Sequence, residues 1–136
     1  MRVLLTTCTA EKSLSNEPLA AVHRYTHPRI DDAATLAEST GVPLFIFSGH
    51  LGLLAAHAPI SWYDHALQPH EVTRAAAGLA QALQKHGVTH ITALLEAETS
   101  PGWPPYYAAI QGGCSQAGVQ LQVHLWTRPG QLSQEG

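Results

Sequence analysis

The sequence is poor in charged residues, in cysteine and in long apolar runs. Charged side chains make up 12% of the 136 residues, only seven are Lys or Arg, and the net charge is -3. Seven basic side chains are too few to form the positively charged surface that binds a phosphate backbone. We therefore do not expect strong nonspecific nucleic-acid binding. The two cysteines, Cys8 and Cys114, lie far apart and indicate no disulfide framework. No apolar run is long enough for a membrane span, and the opening MRVLLTTCTAEK is too short for a signal peptide, so we expect no membrane association and a cytoplasmic protein.

Apolar residues are plentiful, at 45% of the chain, and they concentrate in four short segments. The first three are nearly continuous in apolar character, which is typical of strands buried on both faces of a parallel sheet. The fourth alternates apolar and polar residues, which indicates an edge strand or a strand with one covered face. The predicted strands are 2–6, 43–48, 89–95 and 119–126.

Three helices are predicted between these strands, at 28–41, 69–87 and 104–118. The first begins at Pro and ends at Gly, and the second has apolar residues at helical spacing. The third is a weaker prediction, because two glycines lie inside it. The order of elements favours an α/β three-layer sandwich with a mostly parallel, roughly four-stranded, Rossmann-like sheet. We expect one domain over 1–126 and a flexible tail over 127–136.

Ligands of open parallel sheets bind outside the carboxyl ends of the strands, and long loops follow the first three predicted strands. The first loop offers Thr7, Cys8 and Lys12, whose polar groups are suited to an anionic or carbonyl group. The alternatives are a solvated turn for Lys12 and a small buried side chain for Cys8. The third loop offers Glu96, either as a general base or as a solvated carboxylate.

The second loop, SGHLGLLAAHAPISWYDHAL over 48–67, combines glycines, histidines and aromatics. Its glycines allow close approach of the backbone to a ligand, although their spacing is not a phosphate-binding fingerprint. The Ser48 hydroxyl and the His50 imidazole could orient or protonate a substrate atom. The Asp64 carboxylate could contact a ligand or cap the following helix. The histidines show no metal-ligand spacing, so we expect no metal and no cofactor. The candidate residues of this loop are Ser48, Gly49, His50, Gly52, Tyr63 and Asp64.

Three segments resemble, in order and spacing, a family of small bacterial domains related to the YaaA peroxide-stress proteins and, more distantly, to a domain of archaeosine synthase. They are CTAEK (8–12), VHRYTHPRI (22–30) and FSGHLGLLAAHAPISWYDHAL (47–67), which cover about the first half of the chain. His50 stands where the family usually has Lys, and Leu51 replaces an aromatic residue. The residues that fit the family pattern are Cys8, Lys12, Tyr25, Pro28, Ser48, Gly52, Leu53, Leu54, Tyr63 and Asp64.

The resemblance implies a nucleobase- or nucleotide-like ligand at the carboxyl edge of the sheet. We expect Thr7, Cys8 and Lys12 on one side of the site, Ser48, Gly49 and His50 beneath the ligand, and Tyr63 with Asp64 above it. Tyr25 and Gly52 are further candidate ligand-binding residues. A hydrolytic or transfer reaction at an N-glycosidic bond would use His50 as acid and Asp64 or Glu96 as base.

Other functions stay open at this point. Loss of the family Lys at position 50 favours a noncatalytic, stress-associated interaction module as the alternative. The alternating fourth strand also leaves a homodimer as a further hypothesis, because an edge strand can pair with a second copy.

Overall fold

The computed structural model describes residues 1–128, in which a five-stranded sheet forms the centre of the molecule. The predicted tail beyond Arg128 lies outside the described residues. No helix in the described part of the chain has both the length and the apolar character needed to cross a membrane. The strands are β1 (Arg2–Thr7), β2 (Leu19–Ala20), β3 (Leu44–Ser48), β4 (Gly52–Ala55), β5 (Pro59–Ile60), β6 (His90–Leu95) and β7 (Gln120–Leu125). The helices are α1 (Ala21–Arg24), α2 (Pro28–Thr40), α3 (Val72–Lys85) and α4 (Pro104–Ala117), and a single 3-10 turn covers Pro69–Glu71.

The strand order is β4-β3-β1-β6-β7, and all neighbours run parallel except β4, which is antiparallel to β3. A mixed α/β chain with a mostly parallel sheet is therefore confirmed. The prediction of four strands was one short, because β4 lies inside the stretch interpreted as a loop. A tight turn after β3 ends at Gly52, whose φ of 82° is a conformation that favours glycine, and the chain then runs back along β3. The short strands β2 and β5 form a separate antiparallel pair.

Both faces of the sheet carry apolar clusters with helices packed on them. On one face, Val3 and Leu5 of β1 share a cluster with Leu79 and Leu83 of α3 and with residues of α4. On the other face, Leu4 belongs to a cluster that includes residues of α2. The alternation along β1 explains its continuous apolar sequence, since successive side chains point to opposite faces and both faces are covered.

The glycines that weakened the third predicted helix have a packing role. A Cβ at Gly113 would lie 2.8 Å from Leu79 Cδ2, and a Cβ at Gly112 would lie 3.2 Å from Ala76 Cβ. Absence of side chains there lets α4 lie directly against α3. The helix predicted over 104–118 is therefore present at Pro104–Ala117, and the gain in helix packing offsets the low helix propensity of glycine.

The other two predicted helices are also present, with altered ends. Gly41, with φ of 72°, ends α2 as the sequence indicated. The helix predicted over 69–87 divides into the 3-10 turn and α3. Gln68 and Glu71 form reciprocal backbone-to-side-chain hydrogen bonds at the start of that turn.

The loop after β1 is held by a fully buried arginine. Arg24 donates hydrogen bonds from Nη1 to the carbonyls of Ser13 and Ser15, and from Nη2 to those of Glu17 and Ile60. These bonds satisfy three loop carbonyls and tie the loop to Ile60 of β5. The same loop brings Lys12 into a backbone bridge with Tyr25, which fixes both residues beside the carboxyl end of β1.

Candidate functional site

A chain of three hydroxyl groups links the ends of β3 and α1 to the segment before α3. Tyr63 Oη lies 2.7 Å from Ser48 Oγ and 2.5 Å from Tyr25 Oη. Ser48 Oγ also accepts hydrogen bonds from the backbone N–H groups of His50 and Leu51, at 3.1 and 3.0 Å. Since a hydroxyl has two acceptor lone pairs, Ser48 is left to donate to Tyr63, and either phenol can donate in the bond between Tyr63 and Tyr25. The turn after β3 therefore fixes the direction of the bond between Ser48 and Tyr63.

Cys8 and Lys12 lie against these tyrosines. Cys8 Sγ is 3.4 Å from the hydroxyl of Tyr106, which also accepts the N–H of Leu67 at 3.0 Å. Lys12 Nζ lies 4.8 Å from the centroid of the Tyr63 ring, within cation–π range. We call Cys8, Lys12, Tyr25, Ser48, Tyr63 and Tyr106 the hydroxyl cluster.

Burial makes the phenols of the hydroxyl cluster harder to ionise than a solvated tyrosine. Removal from water raises the pKa of Tyr25 to about 12, an effect that the hydrogen bond with Tyr63 partly opposes. Burial, with a further contribution from the neighbouring Cys8, also raises the pKa of Tyr63 and of Tyr106. These groups can therefore donate hydrogen bonds but are not suited to act as bases.

An open cleft of about 770 Å³ lies between the turn after β3 and the first two turns of α3. His50 is exposed at this cleft, and its ring centroid lies 5.1 Å from that of Tyr63 and 5.6 Å from that of His65. Ser48 and His50 belong to the cleft wall, so the cleft meets the hydroxyl cluster there. The wall is formed by Phe47, Ser48, Gly49, His50, Leu51, Gly52, His65, His70, Glu71, Arg74, Ala75, Gly78 and Leu79.

Both predicted glycines of the second loop have structural roles. A Cβ at Gly49 would lie 2.7 Å from Leu67 Cβ, so only glycine lets the segment before α3 pack on the turn. Gly52 supplies the positive φ that starts β4. Both also line the cleft, and a direct contact between their backbone and a ligand stays a prediction.

A second polar group, which we call the arginine network, lies where β1 and β6 end. It consists of Thr6, Thr7, His27, Arg29 and Glu96. Arg29 is only 2% exposed, donates from Nη1 to Thr6 Oγ1 and to the Thr7 carbonyl, and places Nε 3.5 Å from Glu96 Oε2. That Nε makes no well-aligned hydrogen bond, so its contact with Glu96 is an ion pair. Burial lowers the pKa of Arg29 and Glu96 opposes this, so the guanidinium stays charged.

The Trp103 ring and the His27 imidazole complete the surroundings of this guanidinium. The Trp103 ring centroid is 4.9 Å from Arg29 Cζ. His27 caps α2, because its Nδ1 accepts the N–H of Arg29 at 3.0 Å. His27 Nε2 faces carboxylate oxygens of Glu96 and Glu11 at 3.8 and 3.9 Å. Burial lowers the pKa of His27, and the charge of Arg29 adds to this effect.

The structure brings some of the predicted site residues together and separates others. Thr7 is buried, with its carbonyl bound by Arg29 and its hydroxyl donating to the Cys8 carbonyl at 3.2 Å. Glu96 lies in the arginine network. Asp64 is exposed next to Tyr63 and has no hydrogen bond or ion pair within residues 1–128. The predicted residues that meet in or beside the hydroxyl cluster are Cys8, Lys12, Tyr25, Ser48, Gly49, His50, Gly52 and Tyr63.

Sequence reasoning missed Tyr106, His27 and Arg29, together with the α3 side of the cleft. Arg29 follows Pro28 at the start of a helix, where an arginine is ordinarily solvated, so nothing in the pattern signalled its burial. His70 and Arg74 are four residues apart near a predicted helix start, and that spacing is a signal that was available.

Among residues 1–128, no group of three or more His, Cys, Asp or Glu side chains is arranged to hold a metal ion. Comparison with known proteins gave no match to any family model, curated protein or solved structure. The resemblance to the YaaA-related domains therefore stays a prediction.

Proposed function

We propose that this chain is a Rossmann-like, three-layer α/β domain of the YaaA-related kind that binds a nucleobase- or nucleotide-like ligand at the carboxyl edge of its sheet. The observation that carries the proposal is the junction of the open cleft with the hydroxyl cluster at Ser48 and His50. The cleft volume of about 770 Å³ suits a small molecule of nucleotide size.

The chemistry of the junction suits a flat, polar ligand. His50 and Tyr63 offer ring faces for stacking, and Lys12 adds a positive charge over the Tyr63 ring. Exposed Trp62, at 49%, adds a further ring next to Tyr63 in sequence. A nucleobase combines a flat face with a polar edge, so it fits this combination of groups better than an aliphatic ligand does.

The reaction we propose is hydrolysis or transfer at an N-glycosidic bond. An acceptor oxygen, from water in the hydrolytic case, bonds to the anomeric carbon and passes its proton to a carboxylate. The carbon–nitrogen bond breaks, its electron pair stays on the nucleobase, and His50 in its protonated form donates a proton to that nitrogen. Asp64 is favoured over Glu96 as the carboxylate, because Glu96 is already paired with Arg29.

Titration of nucleosides and nucleotides, followed by NMR signals of His50 and Trp62, tests the binding step. We expect both signals to shift at sub-millimolar ligand, while a sugar without a base leaves them unchanged. Unchanged signals at millimolar nucleoside and nucleotide would refute the binding proposal.

Chromatographic detection of free base tests the reaction. We expect His50→Gln and Asp64→Asn to lower its rate of release at least a hundredfold, and Glu96→Gln to lower it less. If the unaltered chain binds the nucleoside or nucleotide but releases no free base, the catalytic step is contradicted and only a binding domain is supported.

A noncatalytic, stress-associated interaction module is the second candidate. It is supported by the hydroxyl cluster, whose groups bond to one another and thereby hold the loops in place. A homodimer formed along the β7 edge would suit such a module. If a His50→Ala, Asp64→Ala double variant keeps every cellular effect, this second candidate replaces the first.

A further inference from the structure

The α3 side of the cleft collects positively charged and titratable nitrogen groups that the proposed function does not use. His70 and Arg74 line this side, and His50 and His65 line the side formed by the turn and the segment after β5. With His counted as neutral, the cleft wall carries the opposite charges of Arg74 and Glu71 and no net charge, against a net charge of -3 for the whole chain.

The carboxylate in this cleft, Glu71, is already engaged by neighbouring donors. Its oxygens lie 2.9 and 3.0 Å from His65 Nε2, and Oε1 accepts the N–H of Gln68 at 2.9 Å. The Gln68 N–H, followed by His65, lowers the pKa of Glu71, so the group is an anion with its charge compensated locally. Glu71 also attracts the neighbouring His70 electrostatically, whereas no ion pair joins it to Arg74 within residues 1–128.

Arg74 and His70 are exposed and make no hydrogen bond or ion pair within residues 1–128. Arg74 contributes five N–H donors whose planar geometry matches phosphate oxygens. His50 faces the same cleft from the turn after β3. A ligand that stacks on His50 or Tyr63 with its base can therefore extend an anionic end toward Arg74.

We propose that His70 and Arg74 form a subsite for a phosphate group, so that the ligand of the cleft is a phosphorylated nucleotide rather than a free base or nucleoside. This inference rests on the proposed function for the identity of the base-bearing end. The phosphate end has its own support in the exposed guanidinium of Arg74, which lines the cleft and makes no ion pair within residues 1–128. Ligand charge is thus recognised on the α3 side, and the flat ring is recognised beside the hydroxyl cluster.

The test compares adenosine, adenosine 5′-monophosphate and inorganic phosphate, each titrated into the full chain with amide and imidazole NMR signals as the readout. We expect the monophosphate to bind about tenfold more tightly than the nucleoside, since charge-assisted hydrogen bonds to Arg74 are added. Arg74→Gln abolishes this advantage. Lys85→Gln is the matched control, because it removes a cation from the same helix about 16 Å away and keeps the tenfold difference.

The outcomes separate the two proposals. Equal affinity for nucleoside and monophosphate, with shifts at His50 and Tyr63, overturns the phosphate subsite and leaves the proposed function standing. Arg74-dependent binding of inorganic phosphate without nucleoside binding supports the subsite and overturns the nucleobase end. Absence of all binding at millimolar concentrations overturns both, provided that thermal unfolding shows the chain to be folded.

Discussion

The arginine network and the cleft lie at the same edge of the sheet and contain the same residue types, yet they differ in burial. In the network, Arg29 is 2% exposed and meets Thr6, the Thr7 carbonyl and Glu96. In the cleft, Arg74 is exposed and makes no ion pair within residues 1–128. A buried charge without partners is strongly destabilising, so Arg29 must be paired, whereas water solvates the exposed Arg74, which we propose as a phosphate ligand.

If the proposed phosphate subsite is correct, this difference distinguishes a charge that stabilises the fold from a charge that binds a ligand. Arg29 joins the end of β1 to β6 and to the start of α2, so its contribution is to stability. The Arg74 side chain makes no hydrogen bond or ion pair within the described residues and lines a cleft of about 770 Å³, and ligand binding is the role that we propose for it. Substitutions that affect one property and not the other test this distinction.

The largest expected difference in stability is between two variants, each with one arginine replaced by glutamine, one in the arginine network and one in the cleft. We expect Arg29→Gln to lower the free energy of unfolding by about 3 kcal/mol, because it leaves Glu96 and Thr6 without their partner in a buried setting. Arg74→Gln should change it by less than about 0.5 kcal/mol. Urea denaturation measures both, and equal losses would remove the distinction between the two regions.

The next effect concerns the turn that forms one wall of the cleft. Gly49→Ala should lower the free energy of unfolding by about 2 kcal/mol, because the new Cβ would lie 2.7 Å from Leu67 Cβ. The control is Gly78→Ala on the opposite wall, where no atom lies within 4 Å of the added Cβ. It should stabilise α3 by up to about 1 kcal/mol. A neutral Gly49→Ala variant would show that the turn and the Leu67 segment are not in contact.

A smaller loss is expected from the hydroxyl at the junction. Ser48→Ala removes the acceptor of two backbone N–H groups and the donor to Tyr63, which should cost about 1.5 kcal/mol of unfolding free energy. Ser61→Ala, at an exposed position two residues before Tyr63, should be neutral. Identical thermal unfolding of the two variants would contradict the structural role of the hydroxyl chain.

The smallest effect is a pH dependence that belongs to the arginine network. Burial and Arg29 lower the pKa of His27 below its ordinary value of 6.5, so the unfolded chain takes up a proton first as the pH falls. Stability should therefore decrease as the pH drops below about 6.5, until the lowered pKa of the folded state is passed. His27→Asn keeps an acceptor at the start of α2 but removes the titrating imidazole. Urea denaturation at several pH values should therefore show a smaller change of unfolding free energy with pH in this variant. Exposed His23→Asn should keep the slope, and an unaltered slope in His27→Asn would refute the assignment.

Much of the fold followed from local sequence patterns. The four apolar segments became β1, β3, β6 and β7, because burial on two faces imposes continuous apolar sequence and partial burial imposes alternation. The strand β4 could not be distinguished from a loop, since its four residues depend on a turn whose geometry is set by Gly52. The helix α4 was underestimated because its glycines contact α3, a tertiary effect that propensity does not contain.

The sequence predicted which edge of the sheet carries the candidate site, but not which side chains contact one another there. The rule that ligands bind beyond strand ends pointed to the edge of the sheet at which Ser48, His50 and Cys8 lie near one another. The sequence did not indicate that Glu96 and His50 belong to different groups. Their assignment depends on the burial of Arg29, which forms an ion pair with the Glu96 carboxylate. Tyr106 reaches Cys8 from a helix 98 positions later in the chain, and no local pattern records such a contact.

The most direct test of the central claim is a map of backbone amide NMR shifts on addition of a nucleoside monophosphate. We predict that the shifts concentrate at Ser48–Gly52, His70 and Arg74. The amide signals of His27, Arg29 and Glu96 should not shift. Shifts centred on the arginine network would contradict the account, because the buried charges would then be the ones that meet the ligand.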